Sequence, residues 1–358
     1  MTRIMNAVVA VSLVICAGAQ EPDRAGDAAV LVSPPRIRTK PEGKHIVQDV
    51  SLSTARNSYT LRYDVVEIPG EPGRVTWVTW APRSGYACLG VAAPSMAGWY
   101  NQGFFAWTLD DLNIQSYRAK FRIVREGGPD AMVEYVWDTP KGVVTARFAV
   151  TSSSDKLLFF GSYEPKGDVQ TCKLRLMAYP ATFQKPHARS VTTATRTLTS
   201  GSAELDLARE RWILLEDTAE GRAGDGSAGL LLGDPGVFAN VTAGAIGGYG
   251  EYVDLELKPG QRRFCLALYE FPGLPDPLET RAYFQRSGNA ESAKLATMLA
   301  LDTEKVLPPM PVDAQRAARM RAEDVTRLKR PAEAWGPSPT PLDFPWANKL
   351  RGGPVRVA

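Results

Sequence analysis

From Val50 onward the chain is a succession of short runs in which apolar and polar positions alternate. Tyr59 to Val66, Arg74 to Trp80, Tyr117 to Arg125, Ala131 to Trp137, Val143 to Val150 and Lys156 to Tyr163 are rich in β-branched and aromatic residues, and each is bounded by Gly, Pro, Asp or Ser. A period of two with such ends predicts strands. The separators Glu126 to Asp130 and Asp138 to Gly142 have hairpin length, so 117 to 163 is expected to be an antiparallel meander. The same style continues over Cys172 to Tyr179, Ser190 to Thr199, Ala203 to Leu207, Trp212 to Leu215, Gly229 to Gly233, Val237 to Ala245, Tyr252 to Leu257 and Arg263 to Phe271. Neither strand–helix alternation nor a fixed repeat interrupts it, which argues against a parallel sheet or a solenoid. The predicted class is mostly β, a large antiparallel, supersandwich-like β-sandwich with C-terminal helices and a Pro-rich tail.

The flanks read differently. Residues 20 to 47 are polar, with prolines at 22, 34, 35 and 41 and no sustained period, and are expected to form a lead-in to a sandwich domain over 48 to 306. Helical composition appears at Leu278 to Arg286 and Ala290 to Leu301. The Leu307 to Pro311 run then separates a basic helix over Asp313 to Lys329, so that 307 to 330 is linker and helix. Past Pro331 the chain is a Pro-rich tail, 331 to 358, whose last residues, Pro354 to Ala358, resemble either an unfinished strand or an ordinary frayed terminus.

Composition narrows the setting. With 358 residues, 44% of them hydrophobic, the chain can bury one large core or two modest ones. A net charge of +3 from 42 basic and 39 acidic residues carries no concentrated basic face, so nucleic acid is not an expected partner. Residues 1 to 19 combine Arg3, the apolar Ile4 to Ile15 and Ala17-Gly18-Ala19 before Gln20, a signal-peptide pattern that predicts a periplasmic or extracellular protein. The competing reading is a lipoprotein signal with Cys16 as the lipid-bearing residue, against which stands the bulky Val14-Ile15 pair. No later run reaches the ~20 apolar residues of a membrane span.

Three cysteines remain after such cleavage, Cys88, Cys172 and Cys265, an odd and sparse set that is no disulfide framework. One bridge is open to them, and buried free thiols are the other reading. With only His45 and His187 in the chain, a multi-histidine metal site is excluded and neither a metal nor a cofactor is expected. Neither His has a nearby nucleophile and orienting acid, which argues against a triad hydrolase. The Gly244 to Gly250 run opens no helix, so its glycines are read as turn or close-approach positions rather than a phosphate cradle. The acidic stretch 216 to 225 lacks the ligand spacing of a calcium loop.

Candidate chemistry concentrates in Met96 to Leu112, with five aromatics, two amides and an Asp pair in seventeen residues. Trp99, Tyr100, Phe104 and Trp107 would form a platform for sugar rings, with Asn101, Gln102, Asp110 and Asp111 as hydroxyl partners. The other reading is that Trp99, Phe104 and Trp107 fill the core and Asp110-Asp111 make a turn. Glycoside cleavage would need a second carboxyl group about 5 to 10 Å away. Glu216 and Asp217, at the end of the Trp212 run, are the best such partners, and a strand-end turn is their alternative role.

The order of these features, with GWYNQGFFAW at 98 to 107 and LYEFPG at 268 to 273, resembles secreted bacterial proteins with the mutarotase-like β-supersandwich associated with carbohydrate-active enzymes. The resemblance covers roughly residues 48 to 300 and implies a carbohydrate-binding or carbohydrate-processing module. Sugar epimerases of that fold use His and Glu together. This chain has no His within its predicted strands, so that activity is not carried over. The alternative is a non-catalytic structural or interaction module of a larger extracellular assembly, with a protein partner engaged through the 331 to 358 tail.

Overall fold

The computed structural model describes residues 28–41, 43–54, 58–85, 105–178, 188–217, 227–246, 250–270, 277–308 and 310. In chain order, β1 (Ala29–Val32), β2 (Arg36–Lys40), β3 (Gly43–Ser53), β4 (Ser58–Glu67) and β5 (Val75–Gly85) build a five-stranded sheet. Then come β6 (Phe105–Leu109), β7 (Leu112–Asn113), β8 (Lys120–Arg125), β9 (Asp130–Asp138), β10 (Gly142–Thr151), β11 (Leu157–Pro165) and β12 (Cys172–Ala178). They are followed by β13 (Arg189–Thr193), β14 (Thr197–Leu198), β15 (Gly201–Glu204), β16 (Trp212–Asp217) and β17 (Ala228–Leu232). The chain closes on β18 (Phe238–Ile246), β19 (Gly250–Leu257), β20 (Arg263–Glu270) and α1 (Pro277–Met298). A nine-stranded sheet has the order β14-β13-β16-β17-β20-β11-β10-β9-β8, and a six-stranded sheet the order β15-β18-β19-β12-β6-β7. Every pairing is antiparallel, as the hairpin-length separators predict.

The nine-stranded sheet is covered on both faces. Val133, Tyr135, Phe148, Phe159, Ile213, Leu230, Phe264 and Leu266 point into a core shared with the five- and six-stranded sheets, which lie side by side over that face. Tyr63 of the five-stranded sheet stacks on Tyr135 at 6.2 Å, and Trp107 of the six-stranded sheet meets Phe264 at 5.2 Å. Met132, Ala149, Leu158, Leu214, Leu231, Cys265 and Ala267 point the opposite way, toward α1 and the 299–310 strap. Two-sided burial explains why β11, β16, β17 and β20 read as nearly continuous apolar runs, whereas β4, β12 and β19 alternate.

Helix α1 meets its face of the sheet through Phe284, Gly288, Leu295 and Met298. A Cβ on Gly288 would lie 2.4 Å from Trp212 Cδ1, so glycine permits the close approach. Each fully buried large apolar side chain here contributes roughly 2 kcal/mol. Buried charge is trapped in the same interface. Lys156 Nζ lies 3.1 Å from Glu291 Oε2, 2.9 Å from Asp155 Oδ1 and 4.5 Å from the centre of the Tyr269 ring. Tyr269 donates to Glu291 at 2.6 Å, and Tyr283 donates to its other oxygen. Burial pushes the Glu291 carboxyl above its ordinary value against the pull of Lys156 and Tyr283.

Several elements depart from the sequence expectation. Three strands, β1, β2 and much of β3, occupy the stretch read as a lead-in; β1 and β2 are short edge strands separated by Ser33-Pro34-Pro35, and both pair with β3. The run over 190 to 199 is a hairpin, β13 and β14, because Thr193 accepts the turn through bonds from Thr195 and Arg196. The two helical segments 278 to 286 and 290 to 301 are one helix across Gly288 and Asn289. The segment expected as a basic helix, 313 to 329, and the 331 to 358 tail lie outside the described residues.

At the end of the sandwich that carries the β9–β10 turn, Asp110 closes the β6–β7 hairpin with φ 51°, a conformation Asp tolerates better than most residues. Its carboxylate accepts backbone N–H bonds from Gln170 and Thr171, both 2.9 Å, and lies 2.7 Å from Lys141 Nζ. The Lys141 bond, then the Thr171 and Gln170 amides, hold its pKa at about 2. The contribution of this clamp is therefore present above the ordinary aspartate range and is lost as pH falls through about 2.

Two outcomes are expected. Carboxyl NMR titration should place the Asp110 midpoint near 2, and Lys141→Met should move it up toward its ordinary value, whereas an unmoved midpoint refutes the role given to Lys141. In urea unfolding, Lys156→Met should cost about 3 kcal/mol by leaving Glu291 buried without its cation, and adding Glu291→Gln should recover most of that loss. Additive losses in the double variant would show that the pair does not act as a unit.

Candidate functional site

The structure separates the residues that the sequence brings together. Trp107 is 0% exposed; its ring packs on Phe159 and Phe264, and its indole N–H points at Cys172 Sγ at 3.2 Å. It is core, and it offers no face to a ligand. Asp110 is committed to the hairpin clamp, while the side chain of Asp111 is 95% exposed beside it and only 4.0 Å from the same lysine. Trp99, Tyr100, Asn101, Gln102 and Phe104 lie outside the described residues.

The proposed second carboxylate is far from the first. Glu216, the penultimate residue of β16, lies at the opposite end of the sandwich, past the level at which Leu230 pairs with Leu268. The run of β20 from Arg263 to Glu270 alone separates the two ends by about 20 Å at ~3.3 Å per residue, too far for two carboxyls flanking one glycosidic bond. Glu216 is fully buried beneath α1, where Arg281 Nε lies 2.9 Å from Oε2 and Thr192 donates to it at 2.8 Å. Burial pushes its carboxyl up against the pull of Arg281 and Thr192. Asp217 pairs with Arg189 in the β13–β16 ladder. His45, read as part of the lead-in, is a strand residue of β3 and hydrogen-bonds Asp64 on β4. Cys172 and Cys265 are both buried free thiols, and burial pushes Cys172 up to about 12; Cys88 lies outside the described residues. Among the described residues no group of three His, Cys, Asp or Glu is placed to hold a metal ion.

The solvent-facing side of the six-stranded sheet carries an arrangement that no local motif announces. Registers across β18, β19, β12 and β6 set two rows side by side: Thr242, Asp254, Arg175, Ala106 and Asn240, Glu256, Lys173, Thr108. These residues line an open groove of about 340 Å³. Arg175 grips Asp254 through two bonds of 2.5 Å, Lys173 lies 3.3 Å from Glu256, and Thr242 donates to Asn240 Oδ1 at 3.2 Å. A third row, Gly244, Tyr252 and Met177, bounds the groove. The Tyr252 ring lies across Gly244, where a Cβ would stand 2.7 Å from its Cζ and Oη, and the Arg175 guanidinium sits 4.7 Å from the ring centre. Gly244 is thus a close-approach glycine. Met177, on the same face, is 0% exposed and marks where the open surface stops.

The chemistry of the groove follows from these pairings. Two cations are matched by two acids, so its floor is polar without net charge. Both acids are held by cations, which leaves neither as a free proton donor of the kind that glycoside cleavage requires. The arrangement suits binding through many directional hydrogen bonds beside one planar Arg–Tyr stack. Sequence reading missed it because its residues come from three widely separated stretches of the chain, β6, β12 and the β18–β19 pair. The one available signal was the alternation itself: in β19, Tyr252, Asp254 and Glu256 mark a solvent face of unusual polarity.

No family model matches the chain, and no curated protein matches it either. Solved structures do. A quadruple mutant of an α-N-acetylgalactosaminidase from Bifidobacterium bifidum superposes with a TM-score of 0.43 at 10% identity, over 66% of this chain and 39% of that one. A GH36 α-galactosidase from Geobacillus stearothermophilus gives 0.34 at 12% identity, over 62% and 40%. An α-mannosidase from Enterococcus faecalis gives 0.37 at 8% identity, over 75% and 38%. The chain spans about two fifths of the length of these enzymes.

Proposed function

We propose that this chain is an exported carbohydrate-binding β-sandwich protein that takes a neutral oligosaccharide along the groove of its six-stranded sheet. The observation that carries the reading is the pair of polar rows, Thr242-Asp254-Arg175 and Asn240-Glu256-Lys173, beside the Arg175–Tyr252 stack. Sugars present closely spaced hydroxyls that both donate and accept, and acids, amides and basic side chains in a fixed register meet both needs. The matched charges disfavour polyanions.

A glycan array followed by calorimetry on the hits tests the proposal. Wild-type protein is expected to bind neutral oligosaccharides, and Tyr252→Ala and Arg175→Gln should each weaken binding at least tenfold, about 1.4 kcal/mol, with an unchanged circular dichroism spectrum. Absence of binding to every glycan would sink the proposal, and full affinity in both variants would remove the groove as the site.

A further inference from the structure

The opposite side of the molecule holds a second cleft, about 450 Å³ in volume, between the helix-bearing face of the nine-stranded sheet and the turn that follows α1. Its floor is one row across three adjacent strands: Thr145 of β10 pairs with Ser162 of β11, and Ser162 with Arg263 of β20. Phe160 and Leu299 supply an apolar wall, and Thr303 closes the roof.

The charges in this lining are unbalanced, in contrast with the groove. Arg147 is consumed by Glu134, at 2.6 Å, and by Glu304, at 3.0 Å. Arg262 lies 4.7 Å from the centre of the Tyr163 ring and bonds its hydroxyl, and Arg263 gives a single 3.4 Å bond to the Leu301 carbonyl. Neither Arg262 nor Arg263 has a carboxylate within ion-pair distance among the described residues. Glu164, the one acid of the lining, lies two positions along β11 from Ser162 and is exposed, as Arg263 is. The row therefore presents a largely unused guanidinium fork next to two hydroxyls, along an apolar wall.

From this geometry we infer that the cleft is a second ligand site, distinct from the groove, for a small sugar acid: a carboxylate on Arg263, hydroxyls on Ser162 and Thr145, and the carbon skeleton against Leu299 and Phe160. A guanidinium recognises a carboxylate through paired N–H bonds, and the neighbouring hydroxyls discriminate a polyol acid from a bare anion.

Calorimetry with sodium glucuronate, glucose and acetate as separate probes tests the inference. Glucuronate is expected to bind wild-type protein at least tenfold more tightly than glucose or acetate. Arg263→Gln should lose at least tenfold in glucuronate affinity at an unchanged melting temperature, and Tyr252→Ala, in the groove, should leave that affinity unchanged. Equal affinity for acetate and glucuronate would reduce the cleft to an unspecific anion patch and overturn the inference. So would the absence of glucuronate binding, its persistence in Arg263→Gln, or its loss in Tyr252→Ala.

Discussion

The nine-stranded sheet has two apolar faces, and the rest of the molecule is arranged to keep both from water. A sheet of that width cannot be covered by one partner of ordinary size, and the chain meets the demand with two sheets laid edge to edge on one side. Among the described residues the opposite side is met by one 22-residue helix and the strap after it. The helix cannot reach as far as β8 and β9. There the cover changes from apolar to ionic: Arg122 and Arg147 converge on Glu134 and reach Glu304 of the strap, and Asp130 accepts the Leu307 amide at 2.8 Å. Burial works against charge on Glu134, but the two arginines outweigh it and hold its carboxyl below the ordinary value.

Two-sided coverage also decides which parts of the fold could be read from sequence. Strands with one wet face alternate and announce themselves, as β4 and β19 do. The buried strands β11 and β20 lack alternation but are short and bounded by turns, which is enough. What failed was governed by edges and exceptions. In β3 the buried Ile46, Val50 and Leu52 do recur at even spacing, but prolines on the N-terminal side and the brevity of β1 and β2 hid the pattern. Gly288 reads as a helix break by propensity, and tertiary contact with Trp212 overrides it because only a residue without a side chain fits there.

Of the eight binding residues read from the sequence, Trp107, Asp110 and Asp111 fall within the described residues. Aromatic density in one stretch of sequence is a signal of burial as much as of recognition, and Trp107 shows which force wins when a strand of the covering sheet faces the core. The groove, by contrast, is assembled by register. Arg175 and Asp254 are 79 positions apart and meet only because β12 and β19 pair. No local window contains both, so a polar face of this kind becomes visible only when strand neighbours are known.

The same distinction applies to perturbed carboxyls. Glu216 and Glu291 both titrate above their ordinary value, the behaviour often used to mark catalytic acids. Glu216 lies beneath α1 and Glu291 is carried on its buried face, each with a basic side chain and a hydroxyl donor, and neither lines the groove or the Arg263 cleft. Desolvation there follows from the need to cover the second face of the sheet with a helix that closes over polar strand ends. A raised carboxyl pKa among the described residues is thus a mark of helix docking, and the two proposed ligand sites lie on faces where charges are half-exposed and already paired, or, in the Arg263 cleft, left open.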